Sequence, residues 1–149
     1  MKLATPCTTF QRPFVIAIAI AAISCGCSDR EYEIAEVEGV VTINGRPGDG
    51  IRVEYAPDGS QDGKGPSSTA ETDDQGRFQL QFYDDDIGSM QRGAAVGWHP
   101  IVVTDRRLAE SATGRNLRMR LPAEYMSIGS TPLKREVVSG KQSHEITIP

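Results

Sequence analysis

Residues 105–120 carry Arg106, Arg107, Arg115, Arg118 and Arg120 against only Asp105 and Glu110 in this 149-residue chain. Guanidinium groups present forked donors that match carboxylate and phosphate oxygens two at a time, so several on one loop can grip an anionic polymer. Arg106, Arg107 and Arg115 are therefore candidate ligand contacts, to be set against a solvated flexible loop. Trp98, on the outward phase of its strand beside Pro100, adds a flat apolar face that can stack on a sugar ring or cover a sheet edge.

Catalytic sets are harder to assemble. His99 and His144 fall on separate strands, whereas catalytic zinc wants three protein ligands and an open position. His99 lies on the inward phase and reads as a hydrogen-bonded core residue, His144 as a residue of the terminal strand. Asp84-Asp85-Asp86 offers oxygen ligands to calcium but lacks the spaced Asp-x-Asp-x-Asp-Gly loop, and Asp73-Asp74-Gln75-Gly76 is accounted for by the turn it makes. Ser67, Ser68, Ser111 and Ser130 stand without a Gly-x-Ser-x-Gly elbow or a histidine at a telling spacing. Carboxylate pairs of the kind glycoside hydrolysis uses arise by chance among twenty acids. The reading is of no catalytic residue, no metal and no cofactor.

The cysteines carry a different chemistry. Cys7, Cys25 and Cys27 are the full set, so residues 28–149 hold neither a disulfide nor a thiolate metal site. Residues 14–23 are an apolar run preceded by Lys2 and Arg12, with no acid before Asp29. As a helix that run measures about 15 Å, half the roughly 30 Å core of a bilayer, which suits a signal segment rather than a spanning one. Small residues and cysteine follow directly. The pattern resembles the signal of bacterial lipoproteins, in which a cysteine after small residues receives diacylglycerol before cleavage. The resemblance implies lipid on Cys25, preceded by Ala22, Ile23 and Ser24, with Cys27 after Ser24, Cys25 and Gly26 as the alternative. Neither register has the leucine at −3 that such signals favour. An ordinary cleaved secretory signal or an uncleaved anchor is the competing reading. Lipidation puts the mature chain in the cell envelope, membrane-anchored and facing the periplasm or the exterior, because several acyl chains together hold a protein stably.

Processing at Cys25 removes Lys2 and Arg12, leaving 14 basic and 20 acidic residues and moving the net charge from −4 to −6. An acidic surface excludes nucleic acid as the expected partner, since phosphate binding needs a basic footprint. The organisation read from these segments is a signal peptide over 1–24, a polar tether over 25–35 and one domain over 36–149, long enough to bury its own core.

Within that domain the hydrophobic period is two and the punctuation is Gly, Pro, Asn and Asp, the pattern of strands joined by turns. Residues 36–43 put Val37, Gly39, Val41 and Ile43 on one face, and Asn44-Gly45 supplies a turn of positive φ. Ile51, Val53 and Tyr55 form the inward face of a second strand. Residues 59–68 read as a polar loop and 69–72 as a weak strand. Residues 77–82 show the clearest alternation, with Phe78, Leu80 and Phe82 inward. Residues 84–96 read as a loop, 97–104 as a strand with His99, Ile101 and Val103 on one face, and 133–138 with 143–148 as a closing hairpin around Ser139-Gly140-Lys141. Val37, Val41, Ile43, Val53, Phe78, Leu80, Phe82, Ile101, Val103, Val137, Ile146 and Ile148 are expected to line one core. Seven strands over this length argue for a β-sandwich.

Val37-Glu38-Gly39-Val40-Val41 then Asn44-Gly45-Arg46-Pro47, Thr72-Asp73-Asp74-Gln75-Gly76-Arg77-Phe78, Gly97-Trp98-His99, Leu121-Pro122-Ala123-Glu124-Tyr125 and the final strands follow one another in a telling order. Over residues 37–149 they resemble the transthyretin-like, carboxypeptidase regulatory-like modules of small bacterial lipoproteins. The resemblance implies a seven-stranded Greek-key sandwich of the prealbumin type; it implies no activity, because such sandwiches host unrelated roles. The hydroxyisourate hydrolases of that group need several histidines and a terminal Tyr-Arg-Gly-Ser, and this chain ends Glu145-Ile146-Thr147-Ile148-Pro149, so that activity is rejected. The expected function is a non-catalytic binding or structural module meeting an envelope glycan, peptide or another envelope protein. An envelope hydrolase or accessory enzyme is the alternative, and a pocket with convergent polar groups is the feature that would favour it.

Overall fold

Alternating apolar residues build two long inward-facing strands, β2 (Val37–Ile43) and β10 (Gly97–Asp105), and the rest of the fold is arranged around them. The computed structural model describes residues 30–61, 63–107 and 119–149. Between and beyond those two strands lie β1 (Ile34–Ala35), β3 (Arg46–Pro47), β4 (Ile51–Tyr55), β5 (Ser68–Glu71), β6 (Arg77–Gln79), β7 (Gln81–Asp84), β8 (Ser89–Arg92), β9 (Ala94–Ala95), β11 (Lys134–Val137) and β12 (Gln142–Ile148). The described fold is all-β and β-sandwich-like.

In the first sheet β2 is central, paired in parallel with β12 along its whole length and antiparallel with β6 and β3. The second sheet runs β11-β10-β4-β5-β7-β8, antiparallel throughout, and β1 pairs with β9 as a small third piece. Val37, Val41, Ile43, Ile146 and Ile148 from the first sheet meet Ile51, Val53, Tyr55, Ile101, Val103 and Val137 from the second in one buried cluster. All twelve residues assigned to the core by periodicity are buried, but Phe82 lies outside that main cluster.

Asn44 (φ 50°) and Gly45 (φ 72°) turn β2 back into β3, the paired left-handed conformations that a two-residue hairpin requires. Gly39 has a different reason to be glycine. A Cβ there would overlap the carbonyl oxygen of His144 on β12 and lie 2.6 Å from the Phe78 ring, so the close approach of β2, β6 and β12 depends on its missing side chain.

Several sequence expectations are corrected. The continuous strand read over 77–82 is two strands in different sheets: β6 pairs with β2, β7 pairs with β5, and Leu80 stands between them. Its N–H donates to Val37 (2.9 Å) and its carbonyl accepts from Gly93 (2.9 Å), so the chain bends from one sheet to the other without leaving a backbone group unpaired. The closing hairpin is not a hairpin. β11 pairs with β10 in the second sheet and β12 with β2 in the first, because Val137 and Ile146 enter the same core from opposite sides. Residues 84–96 are not one loop, since β8 and β9 lie within them; Ser89–Arg92 lacks the apolar alternation that would have marked it. The far end of the stretch read as a tether is packed too: Ala35 is 3% exposed and Ile34–Ala35 pairs with Ala94–Ala95.

Candidate functional site

Side chains that alternate inward to the core alternate outward on the other phase, and the registers of the second sheet gather the outward ones. Arg52 stands opposite Thr104 on one side and Glu71 on the other; Glu54 stands opposite Val102 and Thr69; Thr69 stands opposite Gln81. The result is an open cleft of about 740 Å³ over the outer face, lined by Arg52, Thr69, Glu71, Gln79, Gln81, Met90, Thr104 and Arg106. Arg106 is ion-paired with Glu71 at its rim. The exposed Arg52 and the side chains of Thr69, Gln79, Gln81 and Thr104 make no hydrogen bond or ion pair among the described residues, so their donors and acceptors are open to solvent or ligand.

Beside the cleft the described Arg107 and Arg120 are held by Asp49, remote in sequence, and Arg120 also by Asp105. Arg107 pairs with Asp49. Arg120 binds Asp105 through Nε (2.6 Å to Oδ2) and Nη2 (2.9 Å to Oδ1), and reaches Asp49 through Nη1 (3.0 Å to Oδ1) and Nη2 (2.9 Å to the carbonyl). Burial pushes the Asp105 carboxyl up, but the hydrogen bonds and charge of Arg120 and the Arg107 N–H outweigh it and hold the group below the ordinary carboxylate range.

Of the predicted contacts, Cys25, Cys27 and Arg115 lie outside the described residues. Arg106 borders the cleft and Arg107 stands next to it, both ion-paired. Trp98 is not with them. It is the second residue of β10 and Arg106 follows the strand's end, about 27 Å away at about 3.4 Å per residue. Asp84, read as a calcium candidate, is buried, ion-paired with Arg30 and accepts the N–H groups of Asp86 and Ile87. Among the described residues no cluster of three or more His, Cys, Asp or Glu could hold a metal.

The two histidines do come together, through a residue the sequence reading left in the core without a role. Tyr55 is fully buried, with its ring stacked on His144 and tilted against His99. Gln142 Oε1 accepts the Nε2–H of His144 (3.0 Å), so His144 Nδ1 is the acceptor for the Tyr55 hydroxyl (2.9 Å), and His99 donates Nε2–H to the Ala95 carbonyl (2.7 Å). The neutral form of each imidazole satisfies these contacts, with His99 Nδ1 buried and unpartnered among the described residues. Burial pushes both below their ordinary value, aided for His144 by Arg135, and burial pushes the Tyr55 phenol up. This arrangement knits β4, β10 and β12 together and presents no activated nucleophile.

It also carries a pH dependence. Each folded pKa lies below the unfolded value near 6.5, so the unfolded chain takes up protons first. Stability is complete above about pH 6.5 and falls as pH drops through the window between that value and the depressed folded pKa values. The thermal midpoint should drop between pH 7.5 and 5, and the drop should shrink in His144→Gln; an equal drop in both proteins would exclude the imidazoles as its source.

No family model matches the chain, and no curated protein or solved structure matches it.

Proposed function

We propose that this is a lipid-anchored cell-envelope protein whose domain, a prealbumin-type Greek-key sandwich related to the transthyretin-like modules, binds a carboxylate-bearing envelope glycan or peptide without turning it over. The observation that supports this reading is the outer-face cleft, where Arg52, Thr69, Gln79, Gln81 and Thr104 converge with their polar groups uncommitted. Such a surface suits an extended polar ligand held by many modest hydrogen bonds and one guanidinium–carboxylate contact.

The convergence of polar groups is also what a hydrolase would need, and the character of the carboxylates argues against it. Glu71 is ion-paired with Arg106, and Asp105 is held below its ordinary range by Arg120. A glycosidase requires the reverse, a carboxyl raised so that it can donate a proton. His99 and His144 belong to the Tyr55 cluster rather than to the cleft. The function is thus read as recognition, with no cofactor.

The reading is tested with carboxylated glycan and peptide fragments from a cell-wall digest. Saturable binding is expected, weakened about tenfold in Arg52→Ala, since a lost charge-assisted hydrogen bond costs about 1.5 kcal/mol or more. Fragments should leave unchanged in mass. Cleavage of any fragment, abolished by Glu71→Gln, would establish the hydrolase instead.

A further inference from the structure

Residues 30–35 are packed onto the fold. Arg30 is ion-paired with the buried Asp84 at the tip of the β7–β8 hairpin, the Tyr32 ring lies against Gly65, and Ser139 Oγ donates to Glu33 Oε2 (2.9 Å). These contacts, with the pairing of β1 and β9, seat residues 30–35 along one end of the second sheet. Cys25 precedes Arg30 by five residues, which reach at most about 18 Å when fully extended. The nine residues of β10 alone span about 30 Å, so the Arg106 end lies beyond that reach and the hairpin end within it.

The end within reach gathers several of the large apolar side chains left uncovered, whereas Met119 lies at the far end. Tyr83 and Met90 face each other across β7 and β8, 52% and 51% exposed; Ile87, in the turn joining those strands, is 60% exposed; and Val138, next to Ser139, is 51% exposed. Tyrosine with aliphatic neighbours is the composition that settles at a membrane–water interface, the ring in apolar surroundings and the hydroxyl wet. Asp85 and Asp86 immediately precede Ile87, so an anionic lipid surface would repel this tip and a zwitterionic one would not.

We infer that this end of the domain rests on the membrane that holds the anchor, with Ile87 and Tyr83 in contact with zwitterionic phospholipid and Met90, at the near edge of the cleft, left to it. The inference rests on the lipid-anchor reading. It orients the molecule: the Arg106 and Arg120 end points away from the bilayer.

The full chain is isolated from membranes, and the mass of its amino-terminal fragment reports whether Cys25 or Cys27 is acylated. In a Trp98→Phe background, single tryptophans are placed by Ile87→Trp and, at the far end, by Met119→Trp; both positions are more than half exposed, so neither change touches the core. In phosphatidylcholine vesicles containing brominated lipid, the tryptophan at 87 should shift to the blue and lose intensity while that at 119 does neither, and replacing part of the lipid by phosphatidylglycerol should weaken the quenching. An acylated chain in which 87 and 119 are equally unquenched overturns this inference and leaves the anchor standing. A chain without acyl mass overturns the anchor and this inference together, and quenching strengthened by phosphatidylglycerol overturns the choice of a zwitterionic surface.

Discussion

Replacing Leu80 by alanine is expected to lower the unfolding free energy by about 2–5 kcal/mol, the range for a large-to-small change at a site that cannot collapse. Leu80 is fully buried and sits where the chain passes from β6 to β7, and its backbone hydrogen bonds to Val37 and Gly93 fix it from both sides. Neighbours held by two different sheets cannot close around the void. Chemical denaturation of the two proteins measures the loss directly. Ile87→Ala, at a position 60% exposed, should stay within about 0.5 kcal/mol, and a comparable loss at both positions would show that Leu80 is not the interior residue described above.

Arg120→Met is expected to cost about 3 kcal/mol, for a different reason. The Asp105 side chain is 3% exposed and that of Arg120 26%, so removing the guanidinium strands a carboxylate away from water. The same substitution frees Asp49, which holds Arg107 as well. Arg120→Met combined with Asp105→Leu should recover much of the loss, because the uncompensated charge is then gone. Urea melts at neutral pH for the two single variants and the double variant separate the pair from its surroundings; additive losses would mean that the two residues do not act on each other.

The core was legible because each strand buried on one face writes its own phase: Val37, Val41 and Ile43 in β2, and Ile51, Val53 and Tyr55 in β4, alternate with polar residues. The pairing of the last strands was not. A short Ser-Gly-Lys turn between two alternating runs looks the same whether the runs pair with each other or with different sheets, and only the long-range partners of β11 and β12 decide. β8 carried no apolar phase at all, since it is an edge strand facing solvent on alternate residues.

The candidate site divides in the same way. Arg106 was picked out by charge, but its partner Glu71 lies 35 residues back, and the Asp49 that holds Arg107 and Arg120 lies 58 and 71 residues from them, separations at which no local pattern speaks. No local pattern singles out Arg52, Thr69 and Gln81; cross-strand register alone makes them neighbours. The Tyr55, His99 and His144 cluster did leave a trace, as three polar rings each on the inward phase of an apolar strand, a pattern that calls for hydrogen-bond partners in the core; Tyr55 and His144 supply each other's, and Ala95 supplies that of His99.

The claim that the outer face of the second sheet is a recognition surface is tested most directly by chemical-shift mapping of the full chain in detergent as cell-wall fragments are titrated in. Saturable shifts confined to Arg52, Thr69, Gln81, Thr104 and Arg106, with every fragment recovered intact, are the predicted result. Shifts centred on Trp98 or elsewhere off this face, or fragments that emerge cleaved, would contradict it.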